Sequence, residues 1–267
     1  MGSPGTYSLS AKKNQTIKRL LSSRPVSRAI EEGGSRPPSQ QKGVGGLSPL
    51  AAKFFREVVL EDWTEFIKGK EWRSCAVLLL KLASEATTKA QQKRLEPWAE
   101  EQEITGESPL VNWANRLIVQ LDRQLGDRDL MAFDLATYAL RQTLEELYSH
   151  DQSPFDLNKR TLLKRLRTVD AQSAVQTYLA SYFRQILRYT MSGYRPASAK
   201  EDEKRYGLMN IVGENEIPKL AKEFWKQLQA YSTEKSGAGK AASLVLDDVP
   251  EWLTKIAENI FTGERKK

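Results

Sequence analysis

The sequence predicts an all-α fold, a multi-helix bundle preceded by a disordered N-terminal tail. Three observations predict it. From residue 48 onward, apolar residues recur at spacings of three and four through most of the 267 residues. No stretch alternates apolar and polar residues with the β-branched enrichment of a strand. Ahead of that point, residues 1–50 hold seven of the 16 glycines and five of the 11 prolines, together with nine serines. A segment of that composition buries too little apolar surface to offset its chain entropy.

Punctuation divides the helical part. Ser48-Pro49 is a cap followed by proline at a first helical position. Phe54, Phe55, Val58, Val59, Trp63 and Phe66 then recur at helical spacing, broken only by Asp62, and Gly69 is the stop. A second helix is expected over about Lys70–Ala90, with Trp72, Cys75, Leu78, Leu79 and Leu82 on one side, and a weak one over Gln91–Glu103, interrupted near Pro97. Ser108-Pro109 opens the next, carrying Leu110, Trp113, Leu117, Val119 and Leu121 to a stop at Gly126. Asp127 is the expected cap of a helix running to about Ser149, its inward stripe Leu130, Phe133, Leu135, Tyr138, Leu144 and Leu147. A further helix covers about Leu157–Arg167. Asp170 caps one that carries Val175, Tyr178, Leu179, Tyr182, Phe183, Ile186, Leu187 and Tyr189 to Gly193. Glu216–Tyr231 is amphipathic through Leu220, Phe224, Trp225 and Leu228, and a last helix opens at Asp248 and Pro250.

Three regions follow: a basic Gly/Pro/Ser-rich tail over 1–47, a helical body over 48–193, and a connector with C-terminal helices packing back over 194–267. Within the last, residues 194–213 read as a charged connector with at most one short helix, and 232–247 as a loop. Inside the tail, Gln15–Ile30 is the exception, where Ile17, Leu20 and Leu21 share one side of a transient helix that needs a partner to form. The net charge of +7 is uneven: residues 1–50 carry eight basic and two acidic residues, leaving 33 basic and 32 acidic for the rest. A near-neutral body argues against a globular domain built around a large nucleic-acid surface, while the tail remains free to touch an anionic partner. No stretch approaches the roughly 18–20 apolar residues of a membrane span, and no apolar segment near the start suits a secretory signal. A cytoplasmic chain with no membrane partner is expected.

Catalytic constellations are scarce. One cysteine, Cys75, and one histidine, His150, exclude a disulfide framework, cysteine-based zinc and two-histidine chemistry. Cys75 lies on an apolar face without a visible base. His150 stands at a helix end beside Asp151, where a histidine commonly meets the last carbonyls. Glu100, Glu101 and Glu103 form a solvated acidic face. Ser236-Gly-Ala-Gly-Lys240-Ala241 resembles a phosphate loop only superficially, because position 241 lacks the magnesium-binding hydroxyl and no strand precedes it. No cofactor, no metal and no enzymatic activity are expected. Lys159, Arg160, Lys164, Arg165 and Arg167 put five charges into nine residues. They form either a surface helix with its leucine edge buried or a phosphate-contacting helix. With Lys12, Lys13, Lys18 and Arg19 of the tail they are the candidate contacts for an anionic partner. The aromatics of the Asp170 helix sit at core spacing, not interleaved with charge as base stacking requires.

Two stretches carry a family resemblance. One is the start, Met1-Gly2-Ser3-Pro4-Gly5-Thr6-Tyr7-Ser8. The other is Asp129-Leu-Met-Ala-Phe-Asp134 through Ala139-Leu-Arg-Gln-Thr-Leu-Glu-Glu-Leu147, with Val175-Gln-Thr-Tyr-Leu-Ala-Ser-Tyr-Phe-Arg-Gln-Ile-Leu187. Together they resemble QatB, the helical accessory component of bacterial Qat anti-phage defence systems, over about half the chain and without a catalytic signature. Residues 70–107 lack the glycine-rich helical segment associated with many members. The resemblance implies a non-enzymatic protein working beside an ATPase, a QueC-like enzyme and a TatD-like nuclease. It further implies that the QueC-like partner conjugates a deazapurine nucleobase to the glycine exposed by methionine removal, here Gly2. A free α-amine with a reference pKa near 8 is partly neutral and nucleophilic at pH 7. Two other readings of the start stay open, an ordinary Met-Gly terminus and a loose myristoylation pattern. The alternative to a defence component is a helical nucleic-acid-associated or scaffold protein using its basic tail.

Overall fold

The computed structural model describes residues 9–24, 27, 53–85, 109–148 and 168–236. Among these residues every regular element is helical: α1 (Ala11–Leu21), α2 (Leu60–Lys68), α3 (Glu71–Glu85), α4 (Pro109–Leu125), α5 (Leu130–Tyr148), α6 (Ala171–Ser192), α7 (Ala199–Ile211) and α8 (Ile217–Ser236). Two π-turns, Phe55–Val59 and Val212–Glu216, lead into α2 and α8 without a break. The chain forms two compact units. Among the described residues, those up to Lys68 and 183–228 belong to the first, and 69–182 with 229–236 belong to the second.

In the first unit the core is aromatic. Trp63 lies edge-on to Phe183 at 5.1 Å and to Phe224 at 5.7 Å, and Phe183 meets Phe224 at 5.5 Å. Phe66 packs edge-on to Tyr189. Edge-to-face rings at these separations add to the burial of their area. The π-turn widens the helix ahead of α2, and Phe54, Phe55, Val58 and Val59 all face inward. The second π-turn frees the carbonyl of Gly213, which accepts from Arg184 Nε at 3.1 Å.

In the second unit α3, α4 and α5 pack on one another. Gly126 ends α4 with φ +61°, the left-handed conformation glycine adopts without strain. Arg128 closes this turn by pairing with Asp122 and stacking 4.6 Å over the Phe133 ring. Asn115 accepts from Arg141 at 2.7 Å and fixes the register of α4 against α5. Glu71, buried at the start of α3, accepts from the Asp129 amide at 3.1 Å.

Several expectations hold in place. Helices end before Gly69, Gly126 and Gly193, α4 starts at Pro109, and Asp170 caps α6 through the Ser173 amide. Within the tail expected over 1–47, the helix expected to need a partner forms as α1, with Ile17, Leu20 and Leu21 buried with Leu9. Apart from residues 9–24 and 27, the tail lies outside the described residues, as do the stretches 91–103 and 157–167 and the last helix. Other expectations are corrected. The cap of α5 is Asp129, whose Oδ1 accepts from the Ala132 amide, and not Asp127. Its inward face is Ala132, Phe133, Ala136, Ala139, Leu140 and Leu144, whereas Leu130 is 68% and Tyr138 49% exposed. Val119 of α4 is also exposed. The connector over 194–213 is α7, thirteen residues capped by Ser198 and joined to α8 through helical Gly213. Helix α8 runs to Ser236, five residues into the expected loop.

Candidate functional site

The described chemistry that the sequence leaves unexplained gathers around α1. Ser10 caps it, with Oγ accepting from the Lys13 amide at 3.3 Å, and Asn14 Nδ2 returns a bond to the Leu9 carbonyl. The helix contains no acidic residue, and Lys18 and Arg19 lie in its last turn, where cations suit the helix dipole. Its apolar side packs against the π-turn at Phe55–Val59 and against α7. Lys13, on that same side, is only 8% exposed.

Lys13 is held by two carboxylates. Its Nζ lies 2.8 Å from Asp62 Oδ1 and 3.1 Å from Glu61 Oε2. Asp62 Oδ2 accepts at 2.8 Å from the hydroxyl of Thr190, which is wholly buried on α6. The one charged interruption in the apolar stripe of α2 is thus the anchor of α1. Burial by itself lowers the Lys13 pKa, but hydrogen bonds and attraction from Asp62 and Glu61 together outweigh it and hold the group above its ordinary value. Glu61 is 80% exposed and contributes little; Asp62, with 11% of its side chain exposed, carries the pair. At the other end, Lys204 Nζ of α7 donates to Ser27 Oγ at 3.1 Å and reaches the Leu21 carbonyl at 3.5 Å.

This geometry sorts the expected contacts. Lys12, Lys18 and Arg19 are exposed on α1. Lys13 is corrected: buried against Asp62, it does not face a partner. Lys18 lies close enough to Glu201 to help lower that carboxyl, whose main cause is the hydrogen bond from Tyr194. Lys12 and Arg19 lie seven residues apart, on one line of the helix. Gly2 and the cluster Lys159, Arg160, Lys164, Arg165 and Arg167 lie outside the described residues. Asp62, Thr190 and Lys204 were not among the expected contacts. The signal for Asp62 was its place in an apolar stripe, since a charge there requires a partner.

In the second unit, Cys75 is fully buried beside Tyr178. Burial pushes its thiol up to about 12, against a partial offset from the Tyr178 hydroxyl, so at neutral pH it stays protonated and is a poor nucleophile. Tyr178 and Tyr182 stack in parallel, and Trp72 stacks on Tyr182. Among the described residues no group of three or more His, Cys, Asp or Glu side chains is placed to hold a metal ion, and no helix is long and apolar enough to cross a membrane. No family model, curated protein or solved structure matches the chain.

Proposed function

We propose that this chain is a non-enzymatic helical component of an anti-phage defence assembly, whose N-terminal glycine, Gly2, is conjugated by a QueC-like partner enzyme, with an ATPase and a TatD-like nuclease as further partners. The observation that carries the proposal furthest is the anchoring of α1. Seven residues lead from Gly2 to buried Leu9. Seven residues reach at most about 25 Å. Gly2 therefore lies within about 25 Å of Leu9, much closer to the first unit than an arm of some 45 flexible residues would allow. A partner that modifies Gly2 works close to that unit's surface and reads α1 and its neighbours while it acts.

The test is the intact mass of protein purified from its native operon, before and after deletion of the QueC-like gene. A nucleobase-sized adduct on Gly2 that disappears with the gene supports the proposal. Gly2→Glu, which retains Met1 and blocks the amine, is expected to abolish protection from phage with an unchanged melting temperature. Protection at the wild-type level overturns it. The second reading, contact with nucleic acid, rests on Lys12 and Arg19 exposed along one line of α1. An unmodified terminus together with steeply salt-dependent DNA binding favours that alternative.

A further inference from the structure

We infer that the outward face of α5 is a docking surface for a basic amphipathic helix of a partner protein, one that sets a lysine on Asp134 and apolar residues against Leu130, Met131, Leu135 and Tyr138. The face belongs to the second unit alone and does not depend on the function proposed above.

Five residues define it. Leu130, Met131, Asp134, Leu135 and Tyr138 run as two apolar residues, an aspartate one turn later, an apolar neighbour and an aromatic ring. Spacings of three and four put all five on one side of the helix. Val58, Val59, Asp62, Trp63 and Phe66 repeat that order at the same intervals in the first unit. There the apolar positions are covered: Val58, Val59 and Trp63 are wholly buried and Phe66 nearly so. Helix α1 packs against the π-turn that carries the two valines, and its Lys13 donates to Asp62 at 2.8 Å. Rings of α6 and α8 take Trp63 and Phe66. Within this chain the pattern already receives a helix that brings a lysine to the aspartate.

On α5 the same positions are open. Five large apolar side chains are exposed among the described residues, and three of them are Leu130, Met131 and Tyr138. Leu135 beside them is half-buried. Single exposed apolar residues are ordinary on a protein surface, but several side by side mark a place where something binds. The helix is not free to turn this face inward. Asn115 holds Arg141 on the α4 side, Asp129 caps the first turn, and the small Ala132, Ala136 and Ala139 fill the side that packs within the unit. The large residues are left for a partner.

Charge decides the occupant. Asp134 is exposed, and its carboxylate has no hydrogen bond or ion pair among the described residues. It stands amid the apolar set, so whatever covers that set also takes water from the carboxylate. An apolar helix without a cation leaves the charge desolvated and alone. A second copy of this face brings another aspartate, and like charges meet. A helix patterned like α1, in which Lys13 is followed by Ile17, Leu20 and Leu21, satisfies both the carboxylate and the apolar groups.

A peptide of the sequence Leu9–Arg24, capped at both ends, is the probe, and Met131 on the full chain is the reporter. Hydrogen peroxide oxidises the methionine thioethers it can reach, and fragment mass locates the sulfoxide. In the free chain Met131, 41% exposed, is expected to oxidise well ahead of wholly buried Met191. Addition of the peptide is expected to slow Met131 in a saturable way. Asp134→Lys is expected to raise the half-protecting concentration at least about tenfold, with an unchanged melting temperature because the residue is exposed. A peptide carrying Lys13→Glu is expected to lose protection of the wild-type chain and to regain it on Asp134→Lys. Met131 as slow as Met191 in the free chain would mean that the face is already covered, and the proposal fails. Protection that grows with protein concentration in the absence of peptide assigns the face to a second copy and overturns it as well. So does a peptide that leaves Met131 unprotected, or one that protects wild type and Asp134→Lys equally. Should Asp134→Lys not fold, Asp134→Asn decides in its place by the same loss of protection.

Discussion

At the scale of single residues, large side chains were legible and small or charged ones were not. Trp63, Trp113, Tyr178, Phe183 and Leu187 read as core from their spacing, and all are 2% exposed or less. Leu130 and Tyr138 read as core for the same reason and are exposed, because α5 turns inward a face of Ala132, Ala136, Ala139, Thr137 and Thr143. Hydropathy patterning gives such small residues little weight, although they let helices approach closely. The two threonines satisfy their hydroxyls on the Phe133 and Ala139 carbonyls one turn back. Lys13 was missed because charge alone assigns a lysine to the surface. Phe183 offers the sharpest test at this scale. It is 1% exposed and packed edge-on against Trp63 and Phe224. Phe183→Ala is expected to cost about 3–5 kcal/mol in denaturant unfolding, from lost transfer energy and the cavity left behind. A loss below about 1 kcal/mol would show that the aromatic cluster is not packed as described.

At the scale of elements, stops written in local chemistry were legible, and helices that depend on tertiary partners were not. The amphipathic pattern of α1 was visible, but an isolated segment of that length in a Gly/Pro/Ser-rich stretch lacks the propensity to fold alone, and the partner that stabilises it, Asp62, lies 49 residues beyond Lys13. Residues 194–213 carry abundant charge and two glycines, and read as a connector. Tyr194 and the Ala197 amide both donate to Glu201, and Ser198 caps the Glu201 amide, so α7 is set by a local polar network and not by an apolar stripe. Two glycines separate the cases of stop and continuation. Gly126 has φ +61°, so Gly126→Ala is expected to destabilise the second unit by about 1 kcal/mol, from left-handed strain. Gly213 lies in helical backbone, and nothing lies within 4 Å of where its Cβ would stand. Gly213→Ala is expected to stabilise by about 0.5–1 kcal/mol, through a smaller entropy loss on folding. Chemical unfolding of the two variants side by side checks the sign of both, and a destabilised Gly213→Ala would mean that the second π-turn needs glycine.

At the scale of the whole molecule, the ionisable groups with displaced pKa values fall into two sets of opposite sign, and together they shape stability against pH. Asp170 and Glu201 are held below their ordinary values, Asp170 chiefly by the Ser173 amide and Glu201 chiefly by the Tyr194 hydroxyl. Asp170 is exposed and Glu201 half-buried at the surface, so the stability they contribute is small, and it is lost only as pH falls through the carboxylate range. Cys75, Tyr178, Tyr182 and Tyr194 are displaced upward, each chiefly by burial, and Lys13 is displaced upward by its carboxylates against burial. A group displaced upward binds its proton more tightly in the folded chain. Its contribution is complete below the unfolded-state pKa and is lost as pH rises toward the folded-state value. The earliest of these windows opens near pH 9 for Cys75 and extends to about 12, and the tyrosines and Lys13 join it from pH 10 upward. The melting temperature is therefore expected to be nearly flat from pH 6 to 8.5 and to fall progressively above pH 9, steepening once the buried tyrosines titrate. Cys75→Ala removes the earliest proton and, with it, the Cys75 contribution that raises Tyr178 and Tyr182, so its curve is expected to be shallower than wild type from pH 9 upward. Thermal melts of both proteins in matched buffers decide the matter. A melting temperature constant to pH 11 would mean that the Cys75–Tyr178–Tyr182 cluster is open to water, and the tight packing of the second unit around Trp72 and α6 would have to be abandoned with it.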